Sequence, residues 1–332
     1  MTARVRVPAS SSNLGAGFDC IGVAVDRWLA ASVTLDRAEK GGFSIRRHGK
    51  LSAVKVRPDQ DLFTRGFRAA CAAGGGGGGG GGVTPVGVKI DATSDIPVGC
   101  GLGSSAAAIV AGAMLADAAL GLGLSRAQIL EIGTTIEGHP DNIAPAIYGG
   151  AVLSVRTPAG LVSTSLRVAD GLALLIVVPP FPSDTKAARA VLPRTLPHSD
   201  AVSAASRAAA LVQGLSSGDG ALLAAALDDV LHVPFRRARI PGYDAVVTAA
   251  QDAGAFGATL SGAGSAIVAI APRERSAAVG TAMLAAWRAT GIEAELIKCT
   301  GTVAGATVTA SPRGTHDGRR TTHDSTVIKE LL

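Results

Sequence analysis

The chain is poor in aromatic residues, with two tryptophans, two tyrosines and seven phenylalanines in 332 positions. An aromatic share of 3% provides no platform of rings on which single-stranded bases could stack. Cysteine is sparse as well. Cys20, Cys71, Cys100 and Cys299 are scattered, with no Cys-x-x-Cys pair and no histidines at zinc spacing, which argues against a disulfide framework and for reduced thiols. Net charge is +5, yet dense blocks of Lys and Arg are missing. Arg236, Arg237 and Arg239 form the main basic cluster, so nucleic acid is not an expected partner and an anionic small substrate fits as well. Long apolar runs are missing too. Ala106–Leu124 comes nearest to a membrane span, but Asp117 interrupts it and its alanines and glycines are weakly hydrophobic, so a buried helix is expected and no membrane. The N-terminus has no basic region ahead of an apolar block. Val5 and Val7 alternate there with Arg4 and Arg6 as in an opening strand, and the expected compartment is the cytoplasm.

What is present is a hydrophobic share of 47%, enough for a sizeable core in two domains or one large one. Strands are expected at Arg4–Pro8 and Trp28–Leu35 around a loop, Ala9–Cys20, and at Gly42–Arg47 in the same sheet. Asp61–Ala73 has helical spacing, and Val86–Ala92 reads as a strand. Between them lie nine consecutive glycines, Gly74–Gly82, read as a flexible surface connection. Ser125 caps an expected helix to about Ile136, followed by a loop, Glu137–Pro145. Gly149–Val155 and the buried run Leu172–Val178 are strands. Helical patterns follow at Asp200–Gln213, Gly220–Leu231, Tyr243–Ala253 and Arg273–Thr290. A strand–glycine turn–strand is expected at Gly257–Ile270, and strands near Glu293–Lys298 and Thr302–Val308. The domain division falls at 1–165 and 166–308, and 309–332 is polar and aperiodic, a disordered tail by composition.

The most specific signal is Pro97-Val-Gly-Cys-Gly-Leu-Gly-Ser-Ser-Ala106 running into the alanine-rich segment. Helix N-termini leave amide N–H groups unpaired and carry partial positive charge, and Gly99, Gly101 and Gly103 let backbone approach a polyanion closely. The combination is a cradle for nucleotide phosphates. No lysine lies in it, which excludes a Walker A loop. Ser104 stands where a dinucleotide fingerprint needs glycine. Ser104 or Ser105 can cap the helix or ligate a cation.

Four further segments join this loop and His232-Val-Pro-Phe-Arg236: Pro8-Ala-Ser-Ser-Ser-Asn-Leu-Gly-Ala-Gly-Phe-Asp19, Glu137-Gly-His-Pro-Asp-Asn142, Ser183-Asp-Thr-Lys-Ala-Ala-Arg189 and Thr259-Leu-Ser-Gly-Ala-Gly-Ser265. Together they make the chain resemble the homoserine kinases of the galactokinase–homoserine–mevalonate–phosphomevalonate (GHMP) kinase superfamily, from about Val5 to Val308. The resemblance implies an α+β, two-domain GHMP kinase fold. Its N-terminal α/β domain is ribosomal-protein-S5-domain-2-like, and its C-terminal domain is ferredoxin-like. It implies transfer of the γ-phosphoryl group of ATP, with Mg²⁺, to the side-chain hydroxyl of L-homoserine, a step toward threonine. A homodimer is implied by the resemblance alone.

Residue roles follow from the same resemblance. Pro97, Val98, Gly99, Cys100, Gly101, Leu102, Gly103, Ser104, Ser105, Ala106 and Ala107 would bind the nucleotide. Ser105 and Glu131 match the positions that hold magnesium, although Glu131 unaided reads as a solvated helix carboxylate. Asn13, Asp19, His139, Asp141, Thr185, Arg189 and Arg236 match substrate contacts, with Asp19 suited to the ammonium group and the two guanidinium forks to the carboxylate. Asn142 stands where mevalonate-kinase-like members place an aspartate. An amide is no base near neutral pH, which implies direct in-line attack by the substrate hydroxyl. One departure concerns the base: Asp61 occupies a position where the family carries asparagine near adenine.

Overall fold

The computed structural model describes residues 2–36, 42–74 and 87–310. Most of the glycine tract (75–82) and the tail from 311 lie outside the described residues. The chain opens with a long hairpin, β1 (Thr2–Asn13) and β2 (Gly17–Asp36). The segment expected to be a loop, Ala9–Cys20, is the far half of this hairpin, and only Leu14–Ala16 turn. Its strand character escapes an apolar pattern because Ser10, Ser11 and Ser12 are buried on both faces of the strand, 0–1% exposed, with side chains satisfied by hydrogen bonds instead of apolar contact.

Antiparallel to β2 runs β4 (Gly87–Ser94), with β3 (Phe43–Gly49) parallel beside it. The far end of β2 also pairs with β5 (Ala151–Thr157), which carries β6 (Gly160–Leu166). Against this first sheet pack α1 (Leu62–Gly74), α2 (Ser104–Leu120), α3 (Arg126–Glu137) and α4 (Ile143–Tyr148). Helix α2 is apolar all round, and 12 of its 17 residues are buried, as a central helix requires. Gly112 makes its contact with α1 possible, since a Cβ there would lie 2.2 Å from the Phe63 carbonyl oxygen. Ser125 caps α3 as expected, through a reciprocal bond with Gln128.

A second sheet follows: β7 (Leu172–Val178), β8 (Gly257–Leu260), β9 (Ile267–Pro272) and β10 (Glu295–Cys299), in the order β10-β7-β9-β8 and wholly antiparallel. Its helices are α5 (Thr185–Ala190), α6 (His198–Ser217), α7 (Gly220–Leu227), α8 (Val233–Arg236), α9 (Tyr243–Asp252) and α10 (Ser276–Ala289). With its main helical crossovers after β7 and β9, this is the ferredoxin-like arrangement. All seven residues of β7 are buried, and they alternate between two cores. Leu174, Ile176 and Val178 join the large core around α2, while Leu175 and Val177 face α9 and α10. Strand β11 (Thr307–Ala310) then returns to the first sheet and pairs with β1. It begins later than the strand expected from Thr302, and β6, α4, α5 and α8 carry no periodic signal long enough to read. No described helix is long and apolar enough to cross a membrane.

Candidate active site

The loop between β4 and α2 is pinned by its carbonyl oxygens. Gly99 O accepts from Ser183 N (2.7 Å), Cys100 O from Ala266 N (3.1 Å), Gly101 O from Ser261 Oγ (2.6 Å) and Leu102 O from Ser10 N (3.1 Å). At the helix start the first bond runs from Ala107 N to Gly103 O, so the amides of Ser104, Ser105 and Ala106 precede the helical ladder. Gly103 itself is the N-cap, with φ +65°, and neither serine caps the helix. At Gly101, with φ +77°, a Cβ would come within 2.0 Å of the Ser261 carbonyl oxygen. The result is an uncharged cradle of amides at the positive end of a 17-residue helix.

This cradle forms one wall of a cavity of about 360 Å³. Val98, Gly99, Gly101, Leu102, Gly103, Ser104 and Ser105 line it; Pro97, Cys100, Ala106 and Ala107 stand behind as buried support. Ser105 Oγ donates to Glu137 Oε1 in a short bond. Glu131, expected to share a cation with Ser105, is elsewhere: it accepts from Leu161 N (2.6 Å), faces Arg156 (3.9 Å) and does not line the cavity. Six residues separate the two carboxylates on α3, about 9 Å along the axis and roughly 240° around it, so only one can reach α2.

Asn142 sits just above the cradle at the start of α4. Its amide N–H groups go to Ser10 Oγ (3.0 Å) and Ser10 O (3.3 Å), while its Oδ1 accepts from Ser12 Oγ (3.2 Å). Both donors are therefore committed, and Oδ1 retains one lone pair.

Opposite the cradle the walls are charged. Arg189 makes a two-pronged bond with Asp19, Nη1 to Oδ2 at 3.0 Å and Nη2 to Oδ1 at 2.7 Å. The buried His139 bonds Asp141 through Nδ1 (2.5 Å). Burial works against a charged His139 imidazole, but the Asp141 bond and charge, helped by Glu137, outweigh it and raise its pKa above 6.5. Arg236 is 2% exposed and donates Nε–H to Ala188 O (3.0 Å) and Nη1–H to Gly262 O (3.4 Å). Gly262 O also accepts from Asn13 Nδ2 (3.0 Å), and Asn13 Oδ1 accepts the Asp19 amide (3.0 Å). Asn13 and Asp19 both hold positive φ, +73° and +56°, at the hairpin end that faces this chamber. Thr185 lines the cavity from the first turn of α5. The third end is apolar, with Leu51, Val54, Val56 and Leu62. There Asp61, 3% exposed, accepts from Phe63 N (2.8 Å) and pairs with Arg47.

The structure thus brings Asn13, Asp19, His139, Asp141, Asn142, Thr185, Arg189 and Arg236 to one cavity with the glycine loop. Sequence reasoning passed over Glu137, although it heads the motif that contains His139 and Asn142. Ser10, Ser12 and Arg47 were also missed; their roles depend on pairing across the fold, which no local spacing encodes.

Two family models match the chain, that of the GHMP kinases N-terminal domain over residues 62–150 and that of the GHMP kinases C-terminal domain over 208–289. The chain belongs to the GHMP kinases. Within them it falls among the homoserine kinases. A homoserine kinase of Synechococcus sp. is 41% identical over 303 residues, which cover 88% of this chain and 93% of the relative. The homoserine kinase of Gloeobacter violaceus is 41% identical over 283 residues, covering 85% and 92%. Among solved structures, a homoserine kinase from Cytophaga hutchinsonii superposes with TM-score 0.82 at 30% identity, covering 93% of this chain and 97% of that one.

Proposed function

We propose that this protein phosphorylates the side-chain hydroxyl of L-homoserine with ATP, giving O-phospho-L-homoserine and ADP, a step toward threonine. The observation that carries the reading is the shared cavity: an uncharged amide cradle faces, across Asn142, a wall of paired opposite charges. On this reading residues 1–165 carry the nucleotide loop and residues 166–308 supply both arginines. The triphosphate lies on the amides of Gly99–Ala106, and the base lies toward Leu51, Val54, Val56 and Leu62.

An amino acid is a zwitterion, and the Arg189–Asp19 pair matches its charges in advance. The substrate carboxylate takes Arg189 and Arg236, and its ammonium takes Asp19 and the Asp141 side of the chamber. The hydroxyl then reaches Asn142, where the lone pair left on Oδ1 accepts its hydrogen bond and aims the oxygen at the γ-phosphorus. In-line attack through a loose transition state needs positioning and charge neutralisation more than a strong base.

The residues beside the cradle fit magnesium. The Ser105 hydroxyl and the Glu137 carboxylate are hard oxygen donors in mutual contact, and phosphate oxygens and water complete such shells. When bound, the cation neutralises charge on the transferring phosphoryl group.

The test is transfer of label from γ-labelled ATP to a panel of L-homoserine, L-serine, L-threonine and mevalonate with Mg²⁺. Homoserine is expected to be the preferred acceptor by a wide margin. ATP binding without transfer to any of them would refute the reading. Asn142→Ala is expected to lower kcat, and unchanged turnover would remove Asn142 from the mechanism.

A further inference from the structure

Behind the two arginines stand two aromatic rings that do not line the cavity, Phe18 and His232. The Arg236 and Arg189 guanidinium carbons lie 5.2 and 5.8 Å from the centroid of the Phe18 ring. Phe18 also stacks on His232, centroids 4.8 Å apart and planes 20° off parallel. Two like charges converging on one ligand repel each other. The Arg236 pKa is lowered to about 10, by burial first and by Arg189 second. The negative face of a phenyl ring offsets part of that repulsion without adding a carboxylate that would compete for the guanidinium groups.

His232 is fully buried, and its hydrogen bonds fix its proton. Arg236 Nη1 lies 3.3 Å from His232 Nδ1, and an arginine can only donate, so Nδ1 is the acceptor. The proton then sits on Nε2, which donates to Gly15 O at 3.3 Å. Burial lowers the pKa of this imidazole, in keeping with the neutral ring that the arginine donor requires. Gly15 is in the tip of the β1–β2 hairpin and Arg236 closes α8. One imidazole therefore joins the two halves of the molecule at the point where the carboxylate would bind.

We propose that Phe18 and His232 are positioning residues: they fix Arg189 and Arg236 in the spacing that receives a carboxylate, and thereby select acceptors that carry one. The proposal rests on the carboxylate-binding role given above to the arginines. Its readout is the ratio of kcat/KM for L-homoserine to kcat/KM for propanolamine, which is homoserine without its carboxylate. His232→Leu and Phe18→Leu are expected to lower this ratio about tenfold or more, chiefly through KM for homoserine, with KM for ATP unchanged. His232→Asn, which can still present an acceptor to Arg236, is expected to recover part of the loss.

Arg236→Met separates the two levels. If it leaves the ratio unchanged, the carboxylate reading fails. If it lowers the ratio while His232→Leu and Phe18→Leu do not, the positioning proposal alone fails. A uniform fall in turnover with both acceptors, or a matching rise in KM for ATP, would show a merely structural role. Should His232→Leu not fold, Phe18→Leu and His232→Asn decide the question by the same ratio.

Discussion

At its glycine-loop end the cavity is walled by backbone, and at the end proposed for the acceptor it is walled by charged side chains. The cradle offers amides and a helix dipole, with every carbonyl from Gly99 to Leu102 bonded elsewhere and no formal charge in the loop. The acceptor chamber offers Asp19, His139, Asp141, Arg189 and Arg236, all held by one another or by main-chain groups. The contrast suits the two ligands. A triphosphate presents many equivalent oxygens, so repeated amides serve it, whereas an amino acid must be told apart from its neighbours by three groups in fixed positions. The backbone end should therefore fail through geometry, and the side-chain end through charge.

The largest effect is expected at the backbone end. In Gly101→Ala the new methyl meets the Ser261 carbonyl in a left-handed conformation, and neither atom belongs to a flexible side chain. Affinity for ATP, read by equilibrium binding, should fall about a hundredfold or more, while homoserine binding suffers less. Retained affinity would mean the loop is not the rigid scaffold described. Arg189→Met tests the other end: kcat/KM for homoserine should drop roughly 30- to 100-fold, with ATP binding unaltered. Loss of both affinities together would erase the contrast.

A smaller effect concerns the carboxylates of α3. Glu137→Gln should raise the magnesium concentration for half-maximal rate about tenfold, and Glu131→Gln should move it less than about twofold. The reverse order would return the cation to Glu131. The smallest effect is in pH. Because the folded His139 pKa is raised, its protonated form contributes stability that is complete below the unfolded value and is lost as pH rises through the folded one. Thermal scans from roughly pH 6 to pH 8 should show Tm falling by on the order of a degree or two, a slope that His139→Gln lacks.

The backbone end was also the more legible one in the sequence. Glycine spacing, two hydroxyls and an alanine run are contiguous, and their chemistry needs no partner from elsewhere to be recognised. The central strands of the second sheet were readable for a similar reason, since β7 and β9 are short apolar runs bounded by prolines and glycines, whereas the ferredoxin-like arrangement came only with the resemblance. The hairpin Ala9–Cys20 was not. Its serines are buried because Asn142, Ser261 and Leu102 come to meet them from distant segments. That Glu137, and not Glu131, meets Ser105 could not be read from the sequence, because helical phase relative to another helix is a tertiary property. The resemblance pointed to Asp19, Arg189 and Asp61 one by one, yet the pairing of Arg189 with Asp19 and of Asp61 with Arg47 emerged only from the structure.

Strand β11 lies along Ala3–Arg6, so the earliest strand to leave the ribosome waits for residues near 307 before its outer flank is covered. At common translation speeds that is a delay of roughly 15 to 60 s during which bare main-chain groups are open to pairing with other chains. A message broken anywhere upstream of Thr307 would release a polypeptide with an unclosed margin, a defect that proteases and chaperones can detect without any reference to catalysis.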